Sequence, residues 1–314
     1  MLILTACGGD SIKEEANSSE ADSFKIGIIQ LMNHPSLDQA REGFVEELDD
    51  LNLSVAIDYK NAQGDIANVK TIVDKFVSDK VDLIYAIATP AAEAAMGATS
   101  EIPILFSAVT DPVESKLVES IQSPGRNVTG SSDMVDLKAQ MSLFKEIDPS
   151  IERIGIIYSA DESNSLQQVE AVKNIVDEMD MNLETISIQN MADIPQAATS
   201  LARNIQGLYM VSDNKVSSST TLVADIMKEH KIPVVAAVEA DVEQGALITM
   251  GINYKSLGKV TGQQAKEILV DKKAPADIAV YVAKEFDKKA NKETLDILGL
   301  DSTLKAFEGA EFKE

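Results

Sequence analysis

From residue 24 onward, short runs rich in Ile and Val alternate with longer stretches whose apolar residues recur three and four apart. No other feature constrains the fold as much. A continuous apolar run suits a strand covered on both faces, and a three-four periodicity suits a helix lying on such a sheet. The runs at 25–29, 54–59, 83–87, 104–106, 128–130, 154–158, 183–188, 207–211, 233–236 and 247–250 read as strands. The stretches at 37–51, 65–78, 91–98, 137–147, 165–179, 194–204, 216–230 and 254–270 read as helices. Strands separated by helices are βαβ units, so the expected class is α/β with mostly parallel sheets. At roughly 150 residues per domain, 314 residues suggest two such units.

An internal echo supports two units. "IGII" occurs at 26–29 and again at 154–157, and each is followed by a polar loop, a helix, a strand and a further polar loop. In open parallel sheets, ligands bind beyond the carboxyl ends of the strands, close to helix N-termini. The strand-end loops are therefore the candidate site. They read "QLMNHPSLD", "ATPAAEAA" and "SAVTDPVES" in the first half, and "SADESNSL", "SDNKVSSS", "AVEADVE" and "GINYKSLG" in the second. All are rich in small polar residues.

Two loops carry specific chemistry. In "ATPAAEAA", Thr89 is a candidate N-cap and Pro90 suits the first helical position. Ala91 and Ala92 would leave backbone N–H groups open to a carboxylate, unless the segment is plain capping. In "SDN", Asp213 could pair with an ammonium, while Ser212 and Asn214 could instead cap the next helix. Together these would describe an amino acid. Ser36 reads as the N-cap of the first helix. His34 beside it is either a site residue or a surface-loop histidine, and His230 reads as a helix C-terminal cap.

Other function classes are excluded by what the chain lacks. It holds 51 acidic against 28 basic residues, a net charge of −23, so the positive footprint that nucleic acid needs is missing. No Gly-x-Ser-x-Gly, P-loop or GxGxxG motif occurs, and two histidines with one cysteine make no zinc site. The expectation is a binding protein, not an enzyme, with neither cofactor nor metal. The charge suits a monomer. No run reaches the roughly 20 apolar residues of a membrane-spanning helix.

The single cysteine, Cys7, follows a short apolar run and two small residues in "MLILTACGG". This resembles the lipobox of bacterial lipoproteins, in which such a cysteine carries a lipid. The polar stretch 8–23 would then be a flexible tether. With "IGIIQLMNHPSLDQAREGFVEEL", "AQGD", "ATPAAEAA", "IPILFSAVTDPV", "GRNVTGSSD", "IGIIYSADESNS", "SDNKV" and "LGKVTGQQAKEIL" following in order, the chain resembles the ABC-transporter substrate-binding proteins, in particular the branch assigned to tryptophan or tyrosine uptake. The resemblance implies the type I periplasmic-binding-protein fold, two Rossmann-like lobes joined by three crossings near Ser131, Gly251 and Pro275. Lobe 1 would comprise 24–131 and 252–275, and lobe 2 132–251 and 276–314, after a leading segment 1–23. It implies ligand contacts from Asn33, His34, Thr89, Ala91, Ala92, Thr110 and Asp111 in lobe 1, and from Asn164, Ser165, Ser212, Asp213, Asn214 and Glu239 in lobe 2. An aromatic ligand would need an apolar slot, for which Met32, Val109, Met134 and Tyr254 are candidates, because the chain has no Trp. Closure of the lobes on a small amino acid and docking on a membrane permease would follow, outside the cytoplasm and on a lipid anchor. A ligand-sensing core of a transcription regulator can share this fold. It would need a basic DNA-binding segment where the acidic stretch before Phe24 stands.

Overall fold

A computed structural model describes residues 23–284 and 286–313. Cys7 and nearly all of the expected tether lie outside these residues. The first half runs β1 (Phe24–Gln30), α1 (Pro35–Asp50), β2 (Val55–Asn61), α2 (Ile66–Ser78), β3 (Leu83–Ile87), α3 (Thr89–Ala98), β4 (Ile104–Val109) and β5 (Val128–Ser132). The second runs α4 (Leu137–Ile147), β6 (Arg153–Ser159), α5 (Ser163–Glu178), β7 (Asn182–Ile188), α6 (Ile194–Leu201), β8 (Gly207–Met210), α7 (Asn214–Ser217), α8 (Thr220–Glu229), β9 (Val234–Ala236), α9 (Glu239–Glu243) and β10 (Ile248–Gly251). The chain closes with α10 (Tyr254–Leu269), β11 (Tyr281–Val282), β12 (Asp287–Asn291), α11 (Lys292–Leu298) and β13 (Glu311–Lys313).

Two sheets result, ordered β11-β5-β4-β3-β1-β2 and β13-β12-β10-β9-β8-β6-β7. Every pairing is parallel except β10 with β12. The central five strands follow one order in both, β2-β1-β3-β4-β5 and β7-β6-β8-β9-β10, so the echoed "IGII" segments are β1 and β6 at equivalent places. In this winding the order reverses beside the first strand, which makes the loops after β1 and β3, and after β6 and β8, the natural ligand sites. The strands bury Ile28, Ile84, Leu105, Ile156 and Val235 completely, as covered sheets require.

Helix α10 returns to the first sheet after β10 has ended in the second. It can press on α1 because glycines stand at the contact. A Cβ on Gly43 would lie 2.0 Å from the carbonyl oxygen of Lys255, and one on Gly258 would lie 2.0 Å from that of Ala40. Three buried hydroxyls, Ser107, Ser131 and Thr261, sit 2.8 Å from one another and tie α10 to β4 and β5.

Two expectations are corrected, and four elements were not foreseen. The crossing placed near Pro275 comes later, because β11 at 281–282 pairs with β5 in the first sheet and only β12 joins the second. The single helix expected at 216–230 is two, α7 and α8. Ser218 Oγ donates back to the Lys215 carbonyl (2.7 Å) and Thr220 Oγ1 to that of Ser217 (2.9 Å), hydroxyl bonds that compete with the helical ladder. The elements β11 to β13 and α11 were not expected at all; their apolar runs are too short to carry a period.

Candidate functional site

The loops after β1 and β8 face each other across the lobes and enclose a small cavity of about 20 Å³. Its wall is built by His34, Ser36 and Leu37 at the start of α1, Ala108 at the end of β4, Asp133 beyond β5 and Asn164 on α5. Ser212 to Asn214, Ser217, Val238 and Tyr254 complete it.

The start of α1 explains three of these residues. His34, not Ser36, occupies the N-cap position, with Pro35 following. The sequence expectation for Ser36 therefore fails, and its hydroxyl is released from capping. Ser36 Oγ is buried without a hydrogen-bond partner. The N–H groups of Ser36 and Leu37 lie in the first turn, where no intrahelical carbonyl can reach them. This corner favours an anion.

The cavity wall also carries three buried acceptor atoms without a partner. His34 Nε2 lies 3.2 Å from Asn214 Oδ1 of the other lobe. An amide oxygen donates nothing, so Nε2 carries the proton and Nδ1 is left as an acceptor. Nδ1 has no partner, and burial lowers the His34 pKa to about 4, which keeps the ring neutral. Asn164 donates Nδ2–H to the Ser212 carbonyl (2.8 Å), which turns its unpartnered Oδ1 the other way. Asp133 accepts the Tyr254 hydroxyl on Oδ2, while Oδ1 is unpartnered. Burial pushes the Asp133 carboxyl above its ordinary range. A buried acceptor without a donor costs about 1–3 kcal/mol, so three of them around one cavity call for a ligand with several donors.

Asp213 has a different role from the one expected. Its carboxylate accepts Ser159 N–H (2.6 Å), Ser159 Oγ (2.9 Å), Ser165 Oγ (2.7 Å) and Val216 N–H (2.9 Å). Those four bonds use its lone-pair directions, so it holds β6, α5 and α7 together and has nothing left for an ammonium. Asn214 is held in turn by Glu162, which accepts its backbone N–H (3.1 Å) and its side-chain amide (2.5 Å). Burial first, and the Asp213 charge second, raise the Glu162 pKa to about 8.

The remaining sequence candidates scatter. Ala91 and Ala92 are not open donors: both N–H groups bond the Ala88 carbonyl at 3.1 Å. Thr89 is the first helical residue rather than the cap, with its hydroxyl buried and unpartnered. Asn33 is exposed and accepts from Asn61. Met32 lines a separate small gap beside Glu162, and Val109 is fully buried in the core. Glu239 pairs with Lys289 (2.8 Å) away from the cavity. Ser165 is engaged with Asp213. Thr110, Asp111 and Met134 line a neighbouring groove instead. Thus His34, Asn164, Ser212, Asp213, Asn214 and Tyr254 meet at the cavity. Asp133 and Ser36 are additions; Asp133 closes the "GRNVTGSSD" motif just beyond β5, but the sequence reading did not count it among the site residues.

The model of one protein family, described as ABC transporter substrate binding protein, matches residues 25–305. The chain belongs to this family. This substrate-binding protein is 39% identical over 306 residues to a tyrosine-binding protein of Clostridioides difficile strain R20291, covering 95% of this chain and 88% of that one. It superposes on a Streptococcus pneumonia ABC domain in complex with L-Trp with a TM-score of 0.88 at 31% identity, covering 92% and 99% of the two chains. A ligand-free, open substrate binding protein with adhesive properties from Clostridium difficile gives 0.70 at 39% identity, covering 93% and 99%. The more identical relative superposes less well. The His34–Asn214 bond and the bond from Ser163 Oγ to Glu93 (2.7 Å) both join the two lobes. No helix among the described residues is long and apolar enough to cross a membrane.

Proposed function

We propose that this substrate-binding protein captures an aromatic α-amino acid, tyrosine or tryptophan, between its lobes and delivers it to a membrane permease for import. The observation that carries the reading is the pairing of opposites in one cavity. Three buried acceptors, His34 Nδ1, Asp133 Oδ1 and Asn164 Oδ1, match the three N–H donors of an ammonium. The Ser36 hydroxyl and the first turn of α1 match a carboxylate. The relatives named for tyrosine and bound to L-Trp direct the choice among amino acids. Because the wall comes from both lobes, ligand binding favours the closed form by its differential affinity for it. Closing also dries the site, which strengthens each charge-assisted bond. The protein acts outside the cytoplasm as a monomer, held to the membrane by a lipid on Cys7, and performs no chemistry on its ligand.

Calorimetric titration with the twenty amino acids tests the reading. Tyrosine or tryptophan binds, while tyramine and tryptamine, which lack the carboxylate, do not. Binding of a sugar or nucleoside with no response to amino acids would overturn it.

A further inference from the structure

Beside the cavity runs a groove of about 470 Å³, open to solvent. Met134, Val135 and Leu137 form one wall, and a stripe of α5 forms the other, with Gln167, Ala171 and Ile175 spaced four residues apart on one helical face. Its walls are mostly apolar, and Gln167 Oε1 is buried there without a partner.

Two residues link groove and cavity. Met134 follows the cavity acid Asp133 directly. Gln168, 2% exposed, lines the groove while bonding two residues of the cavity wall. Its Oε1 accepts Ser212 N–H (3.1 Å), and its Nε2 donates to the Asn164 carbonyl at 3.4 Å, a long bond that is easily given up. The cavity itself, at about 20 Å³, has room for about one water and offers only Leu37, Ala108 and Val238 as apolar wall. It has no room for an aromatic ring.

We infer that the groove is the specificity subsite of this protein: the ring of the bound amino acid passes Gln168 and lies between Met134 and the Ala171–Ile175 stripe, where Gln167 Oε1 accepts the phenol O–H or indole N–H. This rests on the aromatic reading above. Gln167 then separates tyrosine and tryptophan from phenylalanine, which has no ring donor. A site holding an acceptor for such a donor rejects the analogue lacking it, since the acceptor is left buried and unpaired.

The test is calorimetric titration of the full chain with L-Tyr, L-Trp, L-Phe and L-Ala, using wild type, Gln167→Met, Gln167→Glu and Ala171→Phe. Gln167→Met weakens tyrosine and tryptophan about tenfold relative to phenylalanine, the loss of one hydrogen bond. Gln167→Glu, which keeps an acceptor, retains the preference. Ala171→Phe fills the groove and removes aromatic binding, with the thermal transition showing that the protein still folds. Equal changes for all three aromatic ligands in Gln167→Met, or wild-type affinity in Ala171→Phe, would overturn the inference while the aromatic reading survives. A wild type that binds no aromatic amino acid would overturn both.

Discussion

Replacing Asp133 by Asn separates the two acids that a strand-end reading cannot tell apart. Asp133 is 3% exposed, keeps one oxygen free at the cavity, and forms no ion pair among the described residues. If that oxygen receives the ligand ammonium, the substitution truncates a buried charge pair. Such losses cost about 2–5 kcal/mol, so Kd rises by about 30-fold to several thousandfold. The ligand-free protein responds in the other sense. Its buried carboxyl is uncompensated, so removing the charge leaves Tm unchanged or raises it. Asp213→Asn is the control. Four donors converge on that carboxylate, and an amide would turn its own N–H toward some of them. Each buried donor left unpaired costs about 1–3 kcal/mol, and each kcal/mol lowers Tm by about 2–4 °C in a chain of roughly this size. Titration calorimetry and thermal melts on both variants decide the matter. If Asp133→Asn binds within about threefold of wild type, the assignment of the ammonium to Asp133 is refuted.

Two further outcomes follow from other parts of the molecule. Burial raises the pKa of Glu162 to about 8 and that of Asp241 to about 7, so the fold favours their protonated forms. The stability they contribute is complete below their unfolded values near 4 and is lost as pH rises through 7 and 8. Melts between pH 5 and 9 should show Tm falling with pH, with the upper part of the fall flattened in Glu162→Gln; a slope identical in the two proteins counts against this. Gly258→Ala should lower stability by at least about 1–3 kcal/mol, because a Cβ 2.0 Å from the Ala40 carbonyl forces α10 off α1, and denaturant melts measure it.

The sequence by itself determined the layered parallel architecture. Periods of strand and helix are local, and Ile- and Val-rich runs such as 26–29 and 154–157 declare buried strands wherever they stand in the chain. It also located the loops that meet at the site, because carboxyl ends of parallel strands are where such sheets bind ligands. Ser212 and Asn214 stand in those loops by that reading, His34 was left between site and surface, and Asn164 came only from the family resemblance. The direction of each side chain was not legible. Asp213 and Asp133 are both strand-end acids, yet the first is consumed by four donors from β6, α5 and α7, and the second keeps an oxygen for the cavity. Ser36 lost its capping place to His34, and Ala91 and Ala92 gave their N–H groups to Ala88. The C-terminal strands escaped notice because β11 to β13 are two to five residues long and exist only by pairing with strands far away in sequence. Hydrogen bonding between distant segments decided these points, and a local pattern carries no record of it.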